Sequence, residues 1–167
     1  MRGSAILALA LLWIPASARS QSSPLAGEPQ FQVNAYTENV QLLPALDVAD
    51  DGSFVVAWRS LGAEVALNSR YKIEGMRIDP QGRADGPELT LDEDESCPIG
   101  GYQFCRRDVP SLAVFPDGGF VAVWSFWKWE FNPFACLNAI RGRRFATDGS
   151  PLGPEFVVSA PMSYNGL

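Results

Sequence analysis

Apolar residues in this chain fall in short runs separated by turn residues, and within the runs they follow strand spacing rather than helix spacing. After a lead-in rich in Ser, Pro, Gly and Gln comes a short predicted strand, Phe31-Gln32-Val33. Pro44 to Val48 follows, with Leu46 and Val48 alternating against polar neighbours, and Asp50 to Ser53 reads as a turn. Phe54-Val55-Val56-Ala57-Trp58 is β-branched and aromatic, which suits a pleated sheet. Tyr71 to Ile78 is the next strand, Asp79-Pro80-Gln81-Gly82 a turn, and Glu88 to Leu91 the last strand of the unit.

The order then begins again. Pro44 to Trp58 aligns with Pro110 to Trp124 at an offset of 66, with eight of fifteen positions identical. Ile73 to Leu89 aligns with Ile140 to Phe156 at an offset of 67, with seven of seventeen identical. Two ungapped blocks in the same order indicate internal duplication. Each unit then holds four strands: near 45–48, 54–58, 71–78 and 88–91, and near 111–115, 120–124, 138–145 and 155–158. Asp-Gly, in Asp51-Gly52 and Asp117-Gly118, tolerates the positive φ of a tight hairpin turn, so sequential strands form an antiparallel meander.

Phe54, Val56 and Trp58 share one face of their strand, and Val55 and Ala57 share the other. Both faces are apolar, so the strand belongs inside a stack of sheets. The predicted fold class is all-β: two tandem four-stranded antiparallel meanders resembling β-propeller blades. Propellers use about four or more blades, and stacked repeats need about three units. The chain is therefore expected to be a partial propeller by origin, a stacked pair of sheets when isolated, or one of several copies that assemble. Gly75 and Gly142 sit mid-strand, where glycine weakens a sheet unless a bulky neighbour comes close; Trp58 over Gly75 and Trp124 over Gly142 are the expected neighbours. Arg77 with Glu88, and Arg144 with Glu155, are either ion pairs or independent solvated charges.

These phrases resemble a repeat of large exported bacterial proteins, some of them adhesin-like. That unit runs through Asn-Pro-Ser-Val-Ala, Asp-Gly-Gly-Phe-Val-Val-Val-Trp, Ile-Tyr-Gly-Gln-Arg-Tyr-Asp and Gly-x-x-x-Gly-x-Glu-Phe-x-Val-Asn. Pro110 to Val114, Asp117 to Trp124, Ile140 to Phe145 and Gly153 to Phe156 match it in turn, as do Phe31 to Asn34 and the first unit. The resemblance covers nearly all of the chain after its leader. It implies propeller-like blades and brings no catalytic residue. The cysteines and the aromatic-rich second loop depart from the pattern.

Residues 1–18 read as a signal peptide: Arg2, an apolar core from Ile6 to Ile14, and the small-residue site Ala16-Ser17-Ala18. Residues 19–30 are a flexible lead-in, and 31–167 form the β-repeat domain, with repeat one at 44–91 and repeat two at 110–158. The expected location is secreted, periplasmic or at the cell surface, with no membrane span once the leader is cut. A net charge of −6 argues against nucleic acid and against anionic lipid as partners. Of three cysteines, Cys97 and Cys105 can bridge a short loop in an oxidising compartment, and Cys136 is an equal partner for either; one thiol is left over. With no histidine and no Cys-x-x-Cys pair, zinc is disfavoured.

The densest aromatic stretch is Trp124 to Phe134. Phe126, Trp127 and Trp129 are the candidate ligand-binding residues, either as a stacking platform for sugar rings or as an apolar anchor for a protein; the alternative is that they extend the hairpin. Asp92 and Asp94 are the calcium candidates, although the run lacks the spaced ligands and turn glycine of a known calcium loop and reads better as a solvated acidic loop. No other cofactor is indicated. Asp50, Asp51 and Asp117 read as turn residues, and Arg141 to Arg144 as a strand with one charged face. Histidine, the usual general base, is absent, and there is no nucleophile elbow or phosphate loop; two carboxylates could be brought together for glycoside hydrolysis, but no feature of the sequence selects a pair. The sequence therefore points to an exported, non-catalytic module that binds a protein or glycan at the cell surface, or that self-associates. A glycan-processing enzyme with its site in the loops after Trp58 and Trp124 is the alternative, and a structural spacer is the third.

Overall fold

A computed structural model of the chain describes residues 30–37, 40–61, 71–92, 103–131, 134–159 and 162–165. The expected signal peptide lies outside the described residues. The fold is all-β, in two antiparallel sheets. The first runs β1 (Gln41–Val48), β2 (Phe54–Leu61), β3 (Tyr71–Ile78) and β4 (Leu89–Thr90) in sequential order. The second runs β5 (Gln103–Val114), β6 (Phe120–Phe131), β7 (Phe134–Phe145) and β8 (Phe156–Val157), and β9 (Met162–Asn165) pairs further along the edge of β7.

Registers correspond between the sheets. Phe54 pairs with Ile78 as Phe120 pairs with Phe145, and Gly75 with Leu89 as Gly142 with Phe156. The Leu91 amide donates to the Ile73 carbonyl at 2.8 Å, and the Val158 amide to the Ile140 carbonyl at 2.7 Å.

Four turns of one design join the hairpins. In the first, the Gly52 amide donates to the Ala49 carbonyl and the Ala49 amide to the Ser53 carbonyl; the turns ending in Gly82, Gly118 and Gly149 repeat both bonds. The glycines alone take the positive φ, between 79° and 88°. This is a type I turn closed by a left-handed residue, not a two-residue mirror-image turn. Asp51 and Asp117 are turn residues, as expected, and act there as hydrogen-bond acceptors. Asp51, Asp117 and Asp148 accept the amide two residues on, at 2.8, 3.0 and 2.8 Å.

Strand boundaries differ from the sequence reading in three places. Phe31 to Val33 forms no strand; it lies across the first sheet without a ladder, Val33 packing against the cluster Val56, Trp58, Met76 and Ile78. The first strands do not begin at proline. They pass through it, with register shifts between Leu42 and Ala45 and between Asp108 and Ser111. Leu43 and Val109 take φ of 56° and 47° there, a region that suits glycine rather than Leu or Val. Both lie on edge strands, where proline and bulges are tolerated. The aromatic stretch is not a loop: β6 and β7 carry the hairpin on to Phe131 and Phe134.

The sheets stack on one shared core. Val55, Ala57, Ile73 and Leu91 of the first meet Phe120, Ala122, Trp124 and Phe145 of the second. Burying such side chains is worth about 1.5–3 kcal/mol each. This is the stacked two-sheet arrangement. Gly75 and Gly142 are not under the tryptophans: Leu91 lies 3.1 Å from a Cβ built on Gly75, and Val123 and Phe156 lie 2.9 and 3.0 Å from one on Gly142. Each mid-strand glycine admits the side chain of its own fourth-strand segment.

Candidate functional site

Polar ties reinforce one end of the joint between the sheets. Arg59 Nη1 donates to Asp108 Oδ1 at 2.6 Å, and Arg107 pairs with Asp92; all four residues are buried. Asp92 Oδ1 also accepts the Ile73 amide at 2.9 Å. Burial pushes the Asp92 carboxyl up, while Arg107 and that amide pull it down. Asp92 is therefore not a free calcium ligand: its oxygens are already held by an arginine and an amide. Asp94 lies outside the described residues, among which no group of three or more metal-binding side chains occurs. Neither Arg59 nor Arg107 carried a sequence signal, since a buried arginine looks like any other charge until its partner is placed.

The sequence-predicted aromatic residues separate. Phe126 is buried on the inner face, with the Arg141 guanidinium 3.7 Å from its ring centre and that of Arg107 at 5.6 Å. It cannot belong to a surface platform. Trp127 and Trp129 stand half-buried on the opposite, outer face, their rings stacked 5.7 Å apart and 9° from parallel. One side of each indole thus faces the other indole rather than a ligand. The Arg141 to Arg144 stretch does have a charged face, but that face is the inner one for Arg141 and Arg143. Arg141 pairs with Glu155 at 3.2 Å and Arg77 with Asp85, so of the two alternatives for Arg77 with Glu88 and Arg144 with Glu155, the ion pairs are not the ones the structure shows.

Cys105 is disulfide-bonded and Cys136 carries a free thiol; Cys97 lies outside the described residues. Glu74 meets Glu88; burial first, and this neighbour after it, push the Glu74 carboxyl up against a lowering hydrogen bond from Ser60. Glu88 Oε2 is held by the Ala35 amide at 2.5 Å. Neither glutamate lines either of two clefts bordered by described residues. One, of about 260 Å³, lies among the turns and is bordered by Asp51, Asp79 and Asp117; the other, of about 200 Å³, lies between Val33, Pro44 and Trp58. Asp51 and Asp79 spend their oxygens on their own turns. The loop after Trp58, one of the two places assigned to an enzyme site, lies outside the described residues.

The outer face of the second sheet is an open apolar surface that the sequence reading missed. Ile140 is 38 % exposed and Val158 56 %, whereas their counterparts Ile73 and Leu91 are both 0 % exposed. Cross-strand pairing places Val121, Val123, Ile140 and Phe156 on this face, continuous with Trp127 and Trp129. The signal was present in the sequence: two sheets that are apolar on both sides leave two faces uncovered.

No family model matches the chain, and no curated protein or solved structure is similar to it.

Proposed function

We infer that this is an exported, non-catalytic interaction module whose contact surface is the outer face of the second sheet. The observation that carries the reading is the exposure of Ile140, Phe156 and Val158 at positions equivalent to core residues of the first sheet. Export is supported by the leader-like residues 1–18 and by the disulfide at Cys105, which suits an oxidising compartment. A binding role without chemistry is supported by the absence of histidine from the sequence and by the engagement of Asp51, Asp79, Asp92 and Glu88 in structural bonds. Partners of this class are surface proteins or glycans.

The test is retention of labelled protein on the envelope of the cells that produce it. Ile140→Glu with Val158→Glu is expected to abolish retention while leaving the melting temperature within a few degrees. Equal retention by both proteins rejects the reading. The glycan version rests on the stacked Trp127–Trp129 pair; glycan-array binding that survives Trp127→Ala and Trp129→Ala rejects it.

A further inference from the structure

The two sheets stack in one sense only. The first presents Val55, Ala57 and Ile73, the side that in the second sheet bears Val121, Val123 and Ile140. The second answers with Phe120, Ala122 and Trp124, the side that in the first sheet bears Phe54, Val56 and Trp58. Unlike surfaces meet, so each end of the stack keeps the half-joint that the other end lacks. Contacts of this heterologous kind propagate or close into rings.

The segment before β1 shows what the free face of the first sheet accepts. Phe31 lies 3.7 Å from a Cβ built on Gly82, as Leu89 lies 3.0 Å from one on Gly149. Val33 packs against Val56, Trp58 and Ile78, as Leu91 packs in the cluster of Ala122, Trp124 and Phe145. Phe31-Gln32-Val33 thus takes, on the first sheet, the position that Leu89-Thr90-Leu91 takes on the second. It fills only that share of the joint. Leu46 remains 63 % exposed, whereas its counterpart Leu112 packs on the core.

We propose that a second copy of this chain docks head to tail on the first. The outer face of one copy's second sheet covers the outer face of the next copy's first sheet. Phe156 and Val158 of the incoming copy replace Phe31 and Val33, an exchange of one Phe-x-Val phrase for another. The proposal rests on the contact surface named under the proposed function and gives it an occupant. Sheet edges offer little competition: β1 and β5 carry a proline and a bulge, β4 and β8 are two residues long, and β9 is four. The buried pairs of the inner joint have neutral counterparts at the ends, Ser159 for Asp92 and Gln41 for Arg107. The contact therefore lacks the buried ion pairs that lock the inner joint, and is reversible.

Sedimentation of the purified protein tests this. Wild type gains mass with concentration. Val33→Ser, which loosens the resident segment, moves that transition to at least tenfold lower concentration. Ile140→Glu and Leu46→Glu, each at an exposed position, are monomeric alone. Their equimolar mixture forms dimers that grow no further, because each copy retains one working face. Melting curves establish that the variants are folded, and Ile140→Lys with Leu46→Lys replaces the pair where a glutamate variant melts early. A mixture that stays monomeric, or Val33→Ser protein monomeric at every concentration, overturns the proposal. If wild type fails to self-associate while Ile140→Glu still loses envelope retention, head-to-tail docking is wrong and the contact surface stands.

Discussion

Ile73 and Ile140 occupy the same register position in two sheets of the same design, and one is sealed while the other faces solvent. Their backbones are satisfied alike. The Ile73 amide donates to Asp92 Oδ1 at 2.9 Å, and the Ile140 amide to Ser159 Oγ at 2.8 Å. What differs is the side chain that accepts. Aspartate can also hold Arg107 and so bind the neighbouring sheet; serine satisfies its own strand and reaches no further. The inner joint is thus locked by charge as well as by apolar burial, and the outer face is left with apolar side chains alone. Local structure at this position is the same in the two sheets, and the difference in burial goes with what the fourth-strand segment offers to a neighbour.

The strongest test of this difference is to break the lock. Arg107→Met leaves Asp92 charged, buried and unpaired, and is expected to cost about 3–5 kcal/mol in urea unfolding. A loss under about 1 kcal/mol would mean that the pair adds nothing to apolar stacking. Next is the isoleucine pair itself. Ile73→Ala opens a cavity in the core and should cost about 2–5 kcal/mol. Ile140→Ala on the outer face should cost under about 1 kcal/mol, in the range of partly exposed substitutions. Equal losses would show that the outer face is a core in its own right.

Much of this was legible in the chain. Asp-Gly followed by Phe-Val marks the hairpins, and apolar residues on both faces of β2 and β6 require stacking. The sense of stacking was not legible, because Val55 and Val56 are equally apolar; the structure turns Val55 inward, on the face where Arg107 meets Asp92 and Arg59 meets Asp108. The bulges were hidden as well. Proline in a strand usually marks its start, yet Pro44 and Pro110 sit inside edge strands because Leu43 and Val109 absorb a left-handed turn. In the aromatic stretch, pattern alone could not separate Phe126 from Trp127. Alternation puts them on opposite faces, and the arginines of the inner face then claim the phenylalanine.

The mid-strand glycines sharpen the comparison at a smaller scale. Each makes room for its own fourth-strand segment, but Gly142 is tighter: a Cβ there would stand 2.9 Å from Val123 Cγ1 and 3.0 Å from the Ala122 carbonyl oxygen. At Gly75 the nearest atoms, from Leu91 and the Val56 carbonyl, are at 3.1 Å. Overpacking of this kind costs about 1–3 kcal/mol. Gly142→Ala is expected near the upper end and Gly75→Ala nearer the lower, both read from melting curves. A Gly75→Ala protein that loses more than Gly142→Ala would place the tighter packing in the inner joint.

The smallest effect should be blind to the comparison, which makes it a control. Asp51 in the first sheet and Asp148 in the second are held below the usual carboxylate value of 3.8 by the hydroxyl and then the amide of Ser53 and Ser150. Asp79 is lowered by the Arg83 amide first and by the Gln81 amide as well. A carboxyl with a depressed folded pKa is protonated first in the unfolded chain. Its contribution is therefore fully present above 3.8 and is lost as pH falls through the folded value. Stability should decline below about pH 4 in part through these turns. Asp51→Asn and Asp148→Asn keep an acceptor oxygen but no titrating proton, so each should flatten the acid limb slightly and leave neutral stability nearly unchanged. The two substitutions should act nearly equally, because Ser53 and Ser150 dominate both shifts and Arg77 of the first sheet adds only the smallest contribution at Asp148. A larger response from one sheet would mean that its turns feel the neighbouring sheet, and that the asymmetry between joint and outer face extends beyond the faces themselves.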